Sequence, residues 1–474
     1  MKPRLTFFIV LYFLSTVLYG RVDTLSDSLD ILTPRAQNPA FAEPHGTFVI
    51  ELRMTNDLSS TGWKVYLGND LRTWPCTVLE AKEDSILHGT ESGWRLTVKV
   101  PGDISPELMR LELTHASGKS DMSARAVSIV PDFEQDFYIF HQSDQHLTAD
   151  KAVEPGGKSS TKWGHGSKEA LAWIAPIVNL TNPRFVIHTG DNIQVYNEPD
   201  HWCGMDEAKR RINRFMEGLS GYTVATPATT GNHDNGFSSY IGIDEWRKVY
   251  NDLMGQRAFS FRMGSFYVLA SEWTDDTYLR WAKNDYAKAV ADSTITYRLL
   301  ASHYYNGLSG WTTIAGDDHP CDLLIVGHNH RTRTLQTEPY RVLSVATAQH
   351  YQRAAFFDFK RTATGWTSVQ PASHADEVNV HRLVGDYGTP RVSATYDNAN
   401  DGTTMTNTVH ITNSLPHNFY DGRVRFLLQK GEYAVSGGQI LAQYEYAENT
   451  KTAVLVKIDI PADSDIKTSI RKIK

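Results

Sequence analysis

The apolar residues of this 474-residue chain fall into two textures, and the switches between them limit the folds it can adopt. At residues 48–52, 63–67, 94–100 and 109–114 apolar and polar side chains alternate; Met109, Leu111 and Leu113, for example, are separated by Arg110 and Glu112. A period of two gives a strand one buried face and one wet face. Gly, Asn, Asp and Ser punctuate the gaps, which predicts a small antiparallel β-sandwich of Ig-like type over residues 21–130. After Pro131 the runs at 137–140, 185–187, 222–225, 299–301 and 323–326 are apolar nearly throughout, as in strands covered on both faces. Helical segments lie between them at 168–180, 206–219 and 276–291. Strands alternating with helices predict a layered α/β domain over residues 131–373. Period-two runs return at 391–396, 406–412, 423–428 and 453–460, which predicts a C-terminal all-β domain over residues 374–474.

Composition narrows the class. Apolar residues make up 41% and charged residues 21%, ordinary globular values that exclude collagen-like, coiled-coil and wholly disordered chains. With 47 basic and 54 acidic residues the net charge is −7. A chain-wide attraction to nucleic acid or anionic membrane is therefore not expected, while a local site for one small anion remains open. Cys76, Cys203 and Cys321 are too few and too scattered for a disulfide framework, and no CxxC pair suggests a zinc knuckle.

Residues 1–20 read as a secretory signal peptide. Lys2 and Arg4 precede a run at 5–18 whose only polar members are Thr6, Ser15 and Thr16. That run is shorter than the roughly 20 residues of a comfortable membrane span and fits a signal h-region. Small residues are sparse around Tyr19 and Gly20, so an uncleaved signal anchor tethering the chain to a membrane is the alternative. The expected location is secreted or periplasmic, with no membrane contact after signal removal.

Five short motifs in the middle domain each follow one of the buried runs. They are Ser143-Asp144-Gln145-His146, Gly190-Asp191-Asn192, Gly231-Asn232-His233-Asp234, Ser302-His303 and Gly327-His328-Asn329-His330. Ligands of open α/β sheets gather at the carboxyl ends of strands, so segments this far apart in sequence converge. Carboxylates, imidazoles and amides, with no thiolate, suit Mn, Zn or Fe. A carboxylate between two cations bridges them, and two metals about 3.5–4 Å apart activate water and clamp both oxygens of an in-line displacement. Phosphoryl transfer needs that neutralisation of charge.

The ordered series DxH, GDN, GNHD, a lone His after an apolar strand, and GHNH resembles the calcineurin-like metallophosphoesterase superfamily over roughly residues 137–332. Residues 258–261 and 266–270 resemble the family's paired strands, and residues 279–289 its following helix. The resemblance implies a layered β-sandwich core of αββα type. It implies two metal ions, divalent or iron-type. Asp144, His146, Asp191 and His330 would hold one, and Asp191, Asn232, His303 and His328 the other, with Asp191 as the bridge. A metal-bridging hydroxide would be the nucleophile. His233 would act as acid or transition-state stabiliser, and Asp234 would orient its imidazole.

Within the superfamily, purple acid phosphatases carry a Tyr three residues after the GD aspartate; here that position is Gln194, and Tyr196 is out of register. Protein phosphatases carry GDxVDRG, where this chain reads GDNIQVY. The all-β C-terminal segment is too small for the nucleotide-binding domain of 5′-nucleotidases. The expected substrate is a small phosphomonoester or simple phosphodiester, with nucleic acid disfavoured by the net charge. Residues 193–207, His165, residues 272–276, Tyr304 and Tyr305 are candidates for the pocket rim. His141 and His188 read as core histidines, and Asn192 either touches phosphate or turns its loop. The competing reading is an exported binding or surface protein that keeps a structural metal site without turnover.

Overall fold

The computed structural model describes residues 29–53, 58–150, 166–198, 201–236, 241–271, 276–304, 321–336, 341–345, 353–369, 380–385 and 388–474. The signal segment, His165, residues 272–275 and Tyr305 lie outside these residues. The chain is mixed α/β and rich in sheet.

Two six-stranded sheets form the middle of the molecule. One carries Ala228–Thr229, Val186–Thr189, Phe137–Gln142, Arg353–Thr362, Gly365–Val369 and Val380–Arg382; the other carries Ala258–Met263, Phe266–Ser271, Tyr297–Ser302, Leu323–Val326, Arg341–Ser344 and Arg333–Gln336. The continuous apolar runs have a physical explanation here. Phe137 and Ile139 enter the core between the sheets, while Tyr138 and Phe140 enter a second core on the outer face of the first sheet. In the other sheet Leu299 and Leu323 face inward, whereas Leu300 and Leu324 face an outer core shared with helix α5 (Asp276–Ala291). Helices α1 (Lys168–Thr181), α2 (Met205–Leu219) and α4 (Ile243–Met254) pack into the outer core of the first sheet. Between α2 and α4 lies the short helical turn α3 (Asn232–Asn235).

Phe137–Gln142 pairs parallel with Val186–Thr189, and Tyr297–Ser302 pairs parallel with Leu323–Val326. The carboxyl ends of these strands therefore lead directly into the segments bearing Asp144, Asp191, His303 and His328. This topology is what brings the motifs together.

The flanking β-modules are seated on this core. Eight strands between Ile31 and Ile129 follow one another along a single hydrogen-bonded path. The long strand Thr73–Ile86 lies mid-path, pairing with Lys64–Gly68 at its start and with Glu91–Lys99 beyond it. At the other end of the chain, one four-stranded and one three-stranded sheet enclose Val409, Ile411, Phe426 and Val456, and these side chains belong to the same apolar core as Tyr138, Phe140 and Phe356. Phe140 meets Phe356 edge-on at 4.2 Å, and Phe356 stacks on His417 at 4.7 Å. The two modules also touch each other: Trp74 packs edge-on against Tyr444 at 5.5 Å, and Arg425 forms a two-pronged ion pair with Asp70 at 2.7 and 2.9 Å.

His417 makes this seam sensitive to pH. Burial, with His381 nearby, pushes its imidazole down to about 4. The unfolded chain then takes up that proton first, so the stability His417 contributes is complete above pH 6.5 and lost as pH falls towards 4. Asp358, 3.8 Å away, is pushed up to about 6 by burial and works in the opposite direction. One proton of difference is worth about 1.4 kcal/mol per pH unit. Urea unfolding midpoints measured between pH 7 and pH 4.5 are expected to fall less steeply for His417→Gln than for wild type; equal slopes would contradict the assignment.

Candidate metal centre

The loops after the strands carry unusual backbone. Asp144 (φ 57°), His146 (45°), Asp191 (51°), His328 (65°) and His330 (52°) all adopt left-handed conformations, each of which costs a non-glycine residue on the order of 1 kcal/mol or more. Hydrogen bonds between the loops hold them there. Asp144 N donates to the Gly190 carbonyl (3.0 Å), His146 N to that of Asp191 (2.8 Å), and Leu147 N to that of Asn192 (3.1 Å). Two motif glycines are required for close approach. A Cβ on Gly231 would stand 2.2 Å from Asp191 Oδ1, and one on Gly327 would stand 1.9 Å from Ser143 Oγ.

Six of the seven residues expected as ligands converge in two groups that share one carboxylate. Asp144, His146, Asp191 and His330 form one, and Asp191, His303 and His328 form the other, with the donor atoms of each group within 4.8 Å of one another. Asp144 and Asp191 are almost wholly buried, whereas His328 is exposed and His330 partly so, which leaves the centre open on that side. Metal–ligand bonds of about 2.1 Å put neighbouring donors around one cation about 3.0–3.4 Å apart. Several distances match: His330 Nε2 to Asp144 Oδ1 is 3.1 Å, His146 Nε2 to His330 Nε2 is 3.1 Å, and His303 Nε2 to Asp191 Oδ2 is 3.0 Å. His146 Nε2 stands 3.7 Å from Asp191 Oδ2.

The seventh residue, Asn232, donates from Nδ2 to the Tyr196 hydroxyl at 2.8 Å, while its Oδ1 is buried and accepts no hydrogen bond. A buried acceptor without a donor is costly, and a cation removes that cost. The donor set and the orphaned oxygen both fit a pair of divalent metal ions.

Electrostatics point the same way. Burial opposes a charge on Asp191, yet His303, His233 and His146 together hold its carboxyl well below the ordinary range. Burial likewise opposes a charge on His303, but Asp191 and Asp144 raise it to about 9. Two carboxylates out of water thus favour positive charge on His303 and His330.

Gln194, which the sequence places only within the candidate rim segment 193–207, sets the tautomer of His146. Its amide donates to the Tyr196 carbonyl, so its Oε1 faces His146 Nδ1 at 2.8 Å and takes that proton. The His146 Nε2 lone pair is thereby aimed into the centre. Tyr196 stacks on His233 at 4.4 Å with an interplanar angle of 18°, and His146 meets His233 edge-on at 4.5 Å. His233 N donates to Asp191 Oδ1 at 2.8 Å, and burial pushes the His233 imidazole down to about 3, which keeps it neutral. Tyr304 lies over His328 at 4.1 Å, on the rim.

Asp234 departs from expectation. Its carboxylate accepts from the backbone N–H groups of Gly231 (2.8 Å), Ile193 (2.9 Å) and Asn192 (3.1 Å), so it ties two motif loops together and does not orient His233. The reason is geometric: consecutive residues of a helical turn point about 100° apart. Asn192 also turns its loop, donating to the Thr229 carbonyl at 2.7 Å. His141 is buried against Thr189 Oγ1 at 2.8 Å, and His188 is buried beside Phe215. The three cysteines are all unpaired.

No family model matches the chain, and no curated protein matches it in sequence. Solved structures do match part of it in fold. A dimetal phosphatase from Danio rerio is 14% identical, with a TM-score of 0.36, over 52% of this chain and 98% of that one. The anchor in the inner membrane complex of Plasmodium is 8% identical, with a TM-score of 0.34, over 52% and 88%. A novel archaeal phosphodiesterase is 15% identical, with a TM-score of 0.23, over 49% and 97%. At these scores no chemistry is carried over from any of them, and the functional reading rests on the geometry above.

The role of Gln194 is open to direct measurement. Gln194→Leu is expected to weaken Mn2+ binding about 10–100-fold in a calorimetric titration, the range typical for losing a hydrogen-bond partner behind a ligand. Unchanged affinity would mean that His146 needs no such support.

Proposed function

We propose that this chain is a dinuclear metal-dependent hydrolase of phosphoric esters, of the calcineurin-like metallophosphoesterase type. The observation that carries this reading is the sharing of Asp191 between two adjacent donor groups, the arrangement needed to hold two cations one carboxylate apart. Asp144, His146, Asp191 and His330 would hold one ion, and Asp191, Asn232, His303 and His328 the other. Ions so held supply Lewis acidity, activation of water near neutral pH and neutralisation of phosphoryl charge.

The chain's own residues do the rest. Gln194 fixes the lone pair of His146, and Asp234 keeps the loop of Asp191 against the loop of Asn232. His233, held neutral by burial and clamped by the Tyr196 ring, offers an imidazole N–H to the phosphoryl or leaving oxygen. This favours a stabilising role over a full proton transfer. A small phosphomonoester or simple diester is the substrate most consistent with a net charge of −7. The exported location proposed for the protein rests on residues 1–20 alone.

Hydrolysis of a chromogenic phosphomonoester and the matching diester, with Mn, Zn or Fe supplied, tests the proposal. Metal-dependent turnover is expected, falling about 10²–10⁴-fold in His233→Ala while both ions are retained. Two ions bound with no turnover on any ester would favour a binding protein.

A further inference from the structure

The N-terminal module grips the chain on both sides of the turn that carries Asn232 and His233. Ahead of the turn, the Gln37 carbonyl accepts from Ala228 N at 3.1 Å. Arg125 donates to the carbonyls of Tyr222 (3.0 Å) and Val224 (3.3 Å) and to the Thr226 hydroxyl (3.0 Å). Behind the turn, Asn38 Nδ2 donates to the Gln256 carbonyl at 3.1 Å, and His88 Nε2 meets the Ala258 carbonyl at 2.7 Å. His88 follows Leu87 at a tip where both residues are left-handed (φ 62° and 48°), a conformation held only where the surroundings enforce it. Its ring lies 3.8 Å from that of Trp281 and edge-on to Tyr278 at 5.7 Å.

Between the two gripped carbonyls sits Arg257, which is 4% exposed. Its guanidinium covers the Tyr278 ring at 4.8 Å, donates from Nε to Asn251 Oδ1 at 3.2 Å, and donates from Nη1 to Asn235 Oδ1 at 3.4 Å. Asn235 closes the catalytic turn and donates in turn to Thr230 Oγ1 at 3.1 Å. The Arg257 carbonyl accepts from Thr229 Oγ1 at 2.9 Å. One residue therefore braces both ends of the 229–235 segment. Its forked, planar donor set reaches two asparagines while stacking on an aromatic ring, which a lysine cannot do.

We infer that Arg257 is a positioning residue for the Asn232–His233 turn and that the N-terminal β-module, through His88, is the part of the fold that seats it. The inference rests on the hydrolase reading for its kinetic consequence and on geometry alone for its structural one. The N-terminal module is thus a working part of the site, although none of its described residues belongs to the metal centre.

The test uses the full chain and the variants Arg257→Ala, Arg257→Lys, His88→Ala, His88→Gln and the double variant Arg257→Lys/His88→Ala. With Mn2+ supplied, Arg257→Lys and His88→Ala are each expected to lower kcat for the chromogenic ester about tenfold, with KM within twofold. The double variant should fall no more than twofold below the weaker single one, because both act through one brace. Arg257→Lys should recover the thermal midpoint lost in Arg257→Ala but not kcat, and His88→Gln, which keeps a donor for the Ala258 carbonyl, should recover most of kcat. Independently of turnover, amide exchange at residues 231–236 in metal-free protein should quicken about tenfold in both single variants, with residues 406–472 unchanged. Should Arg257→Lys not fold, the two His88 variants decide the question. In Arg257→Lys or His88→Ala, unchanged exchange at 231–236 or kcat within twofold of wild type, and in the double variant fully multiplicative losses, would each overturn the inference. If the wild-type chain binds metal but hydrolyses nothing, the hydrolase reading fails and the exchange rates alone judge the brace.

Discussion

Asp144 and Asp191 lie side by side with at most 1% of their surface exposed, and the surrounding structure is organised around keeping two carboxylates there. An uncompensated buried charge costs several kcal/mol even after relaxation. Compensation comes from backbone N–H groups, with His328 N donating to Asp144 at 3.1 Å and His233 N to Asp191 at 2.8 Å, and from the imidazoles of His303 and His330. Those donors reach the carboxylates only because the loops adopt left-handed turns at the ligand residues themselves. The strain is held by loop-to-loop hydrogen bonds, and those loops are anchored by strands buried on both faces.

The flanking modules fit this logic. A centre built from segments spanning residues 144–330 is only as rigid as the packing of its two sheets. The C-terminal strands complete the outer core of the first sheet, and the N-terminal module holds the backbone on either side of the GNHD turn. Contacts such as Asn69 with Tyr444, at 2.7 Å and 375 residues apart in sequence, link the two modules directly.

Much of this was legible in the sequence because the signals are local. The central strands of the middle domain show their double burial in their own residues, as Phe137 to Phe140 do by alternating between two cores. The ligand types stand in short motifs directly after those strands. Helix α4 is less legible, although Ile243, Trp246, Tyr250 and Met254 have helical spacing, because its apolar residues stand singly or in pairs among charged and polar ones. Gln194 was not legible as a support because its partner His146 is 48 residues away. The resemblance implies that Asp234 orients His233, whereas its carboxylate accepts from the backbone of Gly231, Ile193 and Asn192, loop contacts that no local pattern shows. The braces made by His88 and Arg257 depend on tertiary contacts between modules, which no local pattern encodes.

Whether Asp191 serves two cations and Asp144 only one shows in the metal stoichiometry. The measurement is elemental analysis of wild type, Asp144→Asn and Asp191→Asn after loading with Mn2+ and desalting. The account predicts two ions per chain in wild type, one in Asp144→Asn and none in Asp191→Asn. A single ion in wild type, or equal losses in the two variants, would contradict it.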